Sequence, residues 1–273
     1  MDGTLIAEHS SPGLLLEFVG VPGVGKSTVS HAVAEILRAA GIPCSEPTYE
    51  IDHGRSSSER MTRKLKLAGF GTIRRSERVA PWLGAIGASG QGSLSEAAKA
   101  TLNWCYLIET ARRAALLPGV HVFDQGLCQA WWSLEYGALT PRGLPHELAR
   151  KLFLPPEGST VVVALRASVA AALERLGGRT GGASRVDRDL RIARSPDPAL
   201  HAAAVFEELV EAVTGISATG SLRLISVDNE RSDDIAATAL AIAALIEEEY
   251  RSRAGSPSIR RGAPVRSGYP ANA

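Results

Sequence analysis

The stretch "FVGVPGVGKSTVS", Phe18 to Ser30, sets three glycines, Lys26, Ser27 and Thr28 between an apolar run and a helical one. Upstream, Leu14, Leu15, Leu16, Phe18 and Val19 read as a buried strand. Downstream, Val29, Ala32, Val33, Ile36, Leu37 and Ala40 fall on one stripe of an α-helix. Strand, glycine loop and helix in this order build a cradle for phosphate. Backbone N–H groups can curl inward where no β-carbon obstructs them, and the helix N-terminus adds partial positive charge and free donors.

The pattern Gly-x-x-x-x-Gly-Lys-Ser/Thr is met by Gly20, Gly25, Lys26 and Ser27, with Gly23 as a further hinge. The expected nucleotide-binding set is Gly20, Gly23, Val24, Gly25, Lys26, Ser27 and Thr28. In it Lys26 reaches the β- and γ-phosphates, Ser27 binds Mg²⁺ and Thr28 assists at the first helical turn.

At 273 residues the chain has room for one large α/β domain with a small inserted lid. Its hydrophobic share of 45% and charged share of 22% fit a soluble globular protein. A net charge of +1 gives no global pull toward nucleic acid or a membrane surface. Cys44, Cys105 and Cys128 stand far apart, in no metal-ligand or disulfide spacing, as expected of a reducing compartment. Residues 1–12 lack the basic-then-apolar layout of a signal peptide, and the longest low-charge stretch, Ile235 to Ile246, is too short to span a bilayer. A cytoplasmic protein is expected. From Arg251 on, "RSRAGSPSIRRGAPVRSGYPANA" is rich in Gly, Pro, Ser and Arg and is expected to be disordered.

Strand candidates recur between helices at Leu14–Gly20, Ile42–Ser45, Val120–Asp124, Val161–Leu165 and Leu222–Val227. That alternation predicts a parallel sheet wrapped by helices on both faces, with ligands beyond the carboxyl ends of the strands. Helices are expected over Ser27–Ala40, Leu94–Leu117, Ser168–Leu176 and Asp233–Tyr250, with Ser168 and Ser232 as N-caps. Between Gly54 and Ser93 a helix is expected near Ser58–Leu67 and a glycine-rich loop near Gly84–Gly92, and this region is expected to shape the acceptor pocket.

Chemistry-bearing residues follow the strands. In "SEPTYE", Glu46 ends the second strand and is placed to accept a proton from an acceptor hydroxyl or to bind a sugar, with Tyr49, Glu50 and Asp52 as weaker candidates. In "HVFDQG", Asp124 ends the third strand beside the phosphate loop, where it can hold Mg²⁺, cap the next helix, or do both. After the fourth strand, Arg175, Arg179, Arg185, Arg188, Arg191 and Arg194 crowd a segment punctuated by Gly177, Gly178, Gly181 and Gly182. Such a segment can close over nucleotide and place guanidinium groups on the moving phosphoryl group, a role expected here for Arg175, Arg179, Arg185 and Arg188. Trp131 and Trp132 follow Asp124 by about two helical turns, so one of them either stacks on a planar acceptor or packs in the core with the other.

The phosphate loop, "EP" after the second strand, the aspartate after the third and the late "ALERLGGRTGGASRVDR" together resemble the thymidylate kinase and deoxynucleoside kinase branch of the phosphate-loop kinases. The resemblance runs from about Leu14 to Tyr250. It implies a three-layer α/β/α P-loop NTPase fold with a five-stranded parallel sheet and an arginine-rich lid. It also aligns Glu46-Pro47 with a glutamate that, in deoxynucleoside kinases, contacts the phosphate-accepting hydroxyl. The chain departs from these relatives at Val19, where they carry an acid, at Pro22, where thymidylate kinases carry Asp, and at Gln125, where they carry a phosphate-binding arginine.

The organisation expected is an extension over 1–12, a kinase domain over 13–252 with its lid at about 177–196, and a tail over 253–273. The function expected is ATP- and Mg²⁺-dependent transfer of the γ-phosphoryl group to a nucleoside, nucleotide or similar hydroxylated acceptor. The alternatives are an ATPase or switch acting with a protein partner, and an antibiotic or natural-product kinase. A homodimer through the Leu94–Leu117 helix is a further expectation.

Overall fold

β1 (Leu14–Val19) is buried along its whole length and runs down the middle of the sheet. The computed structural model describes residues 13–52, 56–74, 76–139, 159–178, 184–193, 196–218, 222–231 and 234–255. The expected N-terminal extension, most of the expected tail, Arg179, Gly181, Gly182, Arg194 and the expected N-cap Ser232 lie outside these residues.

From β1 the chain enters α1 (Lys26–Ala39), β2 (Cys44–Ser45), α2 (Tyr49–Asp52), α3 (Ser57–Arg74), α4 (Ser76–Ala88) and α5 (Leu94–Ala115). β3 (Val120–Phe123), α6 (Leu127–Tyr136), β4 (Ser159–Arg166), α7 (Val169–Gly177), α8 (Arg185–Ala193), α9 (Asp197–Ser217), β5 (Leu222–Asp228) and α10 (Ile235–Gly255) follow. The five strands are all parallel, in the order β2-β3-β1-β4-β5. The fold is therefore the expected α/β sheet covered by helices.

Val161 to Leu165 in β4 are wholly buried, as a strand covered on both faces must be, and each valine or leucine among them contributes roughly 1.5–3 kcal/mol by leaving water. β5 mixes buried or half-buried with exposed positions, in keeping with its place at the sheet edge. α1 packs against α10, whereas α5 and α6 pack against β1 and each other. The C-terminal end of α5 is pinned near the amino end of β1, where Gly13 N–H donates to Ala115 carbonyl oxygen at 3.1 Å. The N-terminal turns of α5 therefore rise toward the carboxyl edge of the sheet, where ligands of such folds bind.

Two departures from the sequence reading have local causes. α4 runs to Ala88 through the expected loop, because Val79, Trp82 and Ile86 are buried at helical spacing while Gly84 and Gly87 face solvent. Burial of that stripe outweighs a cost of about 1 kcal/mol for each helical glycine. α10 continues to Gly255, past the expected stop at Tyr250 and into the segment read as tail, its last turns laced by Arg251–Glu247 and Arg253–Glu249 pairs. Ser168 caps α7 as expected, its hydroxyl accepting the Ala171 N–H at 3.2 Å.

Trp82, Trp104 and Trp131 form a buried aromatic cluster with ring centroids 4.6 to 6.0 Å apart. Trp132 stacks on Tyr136 and donates its indole N–H to Ala202 carbonyl oxygen at 3.1 Å. The expected pair Trp131 and Trp132 thus packs in the core.

Candidate active site

The glycine loop joins β1 to α1 at the centre of the carboxyl edge. Gly23 and Gly25 have φ of 88° and 94°, a region that glycine enters without strain. Each is also crowded on the side a β-carbon would take, by Ala172 carbonyl oxygen at Gly23 and by the Asn229 amide at Gly25. Asn229, buried at the carboxyl end of β5, donates Nδ2 to Val24 carbonyl oxygen at 2.7 Å. A trans peptide sets N–H antiparallel to C=O, so anchoring Val24 outward turns the Gly25 N–H toward the inside of the loop. Arg175 supports the same anchor from α7, with one nitrogen 3.4 Å from Val24 carbonyl oxygen and another donating to Glu230 carbonyl oxygen at 2.8 Å.

Lys26 Nζ lies on the loop itself, 2.6 Å from Gly20 and 3.1 Å from Val21 carbonyl oxygens. Ser27 donates its hydroxyl to Asp124 Oδ2 at 3.3 Å, and Thr48 donates to Oδ1 at 2.7 Å. Asp124 is thereby fixed between the first turn of α1 and the loop after β2. Thr28 is exposed on that same first turn.

A second support lies behind the loop. Glu17, alone among charged residues in the buried β1 stretch, accepts the Cys128 N–H and, at 3.3 Å, the Gln129 N–H at the start of α6. Gly126 leaves room for this carboxyl, which would overlap a β-carbon there. Gln129 in turn accepts the Gly20 N–H at 3.2 Å. Burial pushes the Glu17 carboxyl up to about 7 despite those N–H donors. Burial likewise drives the Cys128 thiol well above its ordinary range and the Cys44 thiol up to about 11, so neither is a nucleophile at neutral pH.

At Gln125, the residue after Asp124, opens a cavity of about 330 Å³, within the range of small-molecule sites. Its walls are Ile86 and Gln91, one stripe of α5 (Glu96, Lys99, Ala100, Asn103, Trp104), Gln125, one stripe of α6 (Ala130, Ser133, Leu134), and Arg185 and Arg188 from α8. Arg185 pairs with Glu96 at 3.3 Å, and Tyr136 donates to Asp189 at 2.8 Å, so α8 is held against the cavity from this side. Among the described residues, the region expected to shape the acceptor pocket supplies Ile86 and Gln91. α5, whose N-terminal turns stand over the carboxyl edge, and α6, which starts there after β3, supply most of the rest.

The structure brings together Gly20, Gly23, Val24, Gly25, Lys26, Ser27 and Asp124 in one site, with Arg185 and Arg188 on the adjoining cavity. Glu46 stands apart from them in its contacts. Its oxygens meet Arg38 at 2.8 Å and His31 at 3.0 Å, and His31 stacks on Tyr49. Glu46 is thus an ion-paired, buried carboxylate, where the sequence reading expected one facing the acceptor. Arg175, expected over the transferred phosphate, braces the loop from outside. The sequence reading passed over Thr48, Glu17, Gln129, Asn229 and Lys99. Thr48 sits inside "SEPTYE" and Asn229 directly follows β5, so the carboxyl-end rule reaches both. An acid within "LLLEFV" is the signal for Glu17.

The chain is an α/β protein whose glycine loop joins the central strand of a parallel sheet to α1. No protein-family model and no curated protein matches the chain. Among solved structures it is similar to a gluconokinase from Sinorhizobium meliloti 1021, at 20% identity, covering 90% of this chain and 99% of that one with a TM-score of 0.39. It is also similar to a deoxyadenosine kinase from M. mycoides with bound dATP, at 16% identity, covering 85% and 99% of the two chains with a TM-score of 0.43. Among the described residues no helix is long and apolar enough to cross a membrane.

Proposed function

We propose that the protein is an ATP- and Mg²⁺-dependent phosphotransferase that moves the γ-phosphoryl group to a hydroxyl of a small acceptor. The observation that carries this reading is the junction at Asp124, where Ser27 at the end of the loop meets the strand end that leads through Gln125 into the cavity bordered by α8. A cavity of that size favours a small acceptor over a protein partner.

Ser27 and Asp124 offer the hard oxygen donors that Mg²⁺ takes, and they would hold it. When bound, the ion neutralises charge on the β- and γ-phosphates. The chain's own work is positioning and charge. Inward loop amides and Lys26 hold phosphate oxygens, and a bound anion competes with the Gly20 and Val21 carbonyls for the ammonium. Asn229 and Arg175 keep the loop in shape by holding Val24. Thr48 fixes Asp124, and Arg185 and Arg188 supply guanidinium groups beside the moving phosphoryl group. Glu46 acts as a positioning residue: with Arg38 and His31 it ties α1 to the loop that carries Thr48. Tyr136 and Glu96 dock α8, which excludes water from the cavity. A cytoplasmic location accords with three free cysteines.

The test is ADP release from ATP and Mg²⁺ against nucleosides, nucleotides, sugar acids and hydroxylated antibiotics. Stimulation by one acceptor class is expected. Turnover that ignores every small acceptor and rises only with a macromolecule would replace this reading with that of a partner-driven ATPase.

A further inference from the structure

We infer that the acceptor is an anion and that Lys99 selects it. This inference rests on the kinase reading and names the substrate class of the same site. Glu96, Lys99, Ala100, Asn103 and Trp104 recur at helical spacing, so one face of α5 lines the cavity. Among the described residues the cavity is lined by three cations, Lys99, Arg185 and Arg188, and by one acid, Glu96. Glu96 is already neutralised by Arg185 at 3.3 Å. Among the described residues, neither Lys99 nor Arg188 has an ion-pair partner. Positive charge in the concavity is therefore unbalanced, and low-dielectric walls focus it on whatever enters.

The cations come from different walls. Arg185 and Arg188 stand on the lid helix α8, and Lys99 stands on α5. This separation divides their work: the lid arginines serve the transferred phosphoryl group, while Lys99 on the fixed wall holds an anionic group that the acceptor brings. Gln91, Asn103, Gln125 and Ser133 add neutral polar groups to the same cavity, suited to an acceptor that carries hydroxyls as well as its anionic group. Gln125 matters most here because it follows Asp124 directly. With an uncharged amide at that position, Lys99 is the cation the cavity offers outside the lid. A carboxylate or a phosphate supplies the same chemistry at Lys99.

Calorimetry on protein loaded with Mg²⁺ and a non-hydrolysable ATP analogue tests this, because the phosphate loop is then occupied and cannot compete for the probe. The probes are matched pairs, gluconate against sorbitol and deoxyadenosine monophosphate against deoxyadenosine. At least one anion is expected to bind about ten-fold or more tighter than its neutral counterpart, the size of one charge-assisted contact. The pair that shows the preference identifies carboxylate or phosphate as the source. Lys99→Gln should erase the preference, Lys99→Arg should restore most of it, and affinity for the ATP analogue should not change in either. Equal binding within both pairs, a preference that survives Lys99→Gln, or no binding by either anion would overturn the inference. Lys99-dependent anion binding without acceptor-stimulated ADP release would count against the kinase reading alone. ADP release stimulated only by neutral acceptors would count against the anionic acceptor alone.

Discussion

Thr48 and Asp124 are joined by a 2.7 Å hydrogen bond between a buried hydroxyl and a buried carboxylate, linking the loop after β2 to the end of β3. Replacing Thr48 with Val keeps the shape and leaves Asp124 Oδ1 without its donor, a loss of about 1–3 kcal/mol for a buried acceptor. Turnover should fall by roughly ten-fold or more with the Mg²⁺ requirement raised, and Thr48→Ser should recover most of it. Mg²⁺ titrations of the three proteins check this, and identical curves for wild type and Thr48→Val would remove Thr48 from the site.

Gly23→Ala should abolish nucleotide binding while leaving a folded chain. Its β-carbon would collide with Ala172 carbonyl oxygen, and φ of 88° disfavours any L side chain. The loop must then open away from α7. Titration with a fluorescent ATP analogue, alongside circular dichroism, separates lost binding from lost fold.

The central sheet was legible in the sequence because each strand is a short apolar run followed by a helix start, and the glycine loop was legible as the join between β1 and α1. Asp124 was legible for the same reason. Glu46 was misplaced because sequence spacing shows that an acid ends β2 but not that Arg38 and His31, on α1, turn toward it. α4 was obscured by Gly84, Gly87 and Pro81, whose local preferences the burial of Trp82 overrides. Lys99 could not be found, since its significance depends on α5 passing beside α6 and α8, a relationship with no counterpart in local pattern.

Glu17 should make stability depend on pH. Folded, it keeps its proton up to about pH 7, whereas its ordinary value is 4.5. The native state then binds more protons than the unfolded state in that window, so stability falls as pH rises from about 4.5 toward 7. At about 1.4 kcal/mol for each tenfold in proton affinity, the loss is on the order of 3 kcal/mol. Glu17→Gln keeps an oxygen for the Cys128 and Gln129 N–H groups and removes the titration. Urea unfolding at pH 5 and pH 7.5 should show a flatter profile for the variant; parallel profiles would assign the slope elsewhere.

Glu46→Gln separates a positioning role from a base. With Arg38 and His31 already on its oxygens, the substitution should lower turnover by less than about a hundred-fold, the low end of what loss of a general base costs, while reducing thermal stability. Arg38→Ala should produce the same pattern by leaving Glu46 buried with His31 as its remaining partner. A loss of several orders of magnitude in Glu46→Gln with stability intact would return Glu46 to the acceptor hydroxyl.

In the proposed reaction the γ-phosphoryl group leaves ATP for a small acceptor in the cavity that Gln125 borders. Following ³²P from γ-labelled ATP shows where it goes, with wild type, Lys26→Ala and Asp124→Asn run against the acceptor that best stimulates ADP release. Label on the acceptor is expected with wild type, and a loss of orders of magnitude is expected in both variants. Label appearing only as inorganic phosphate, or transfer undiminished in Lys26→Ala, would contradict the proposed reaction.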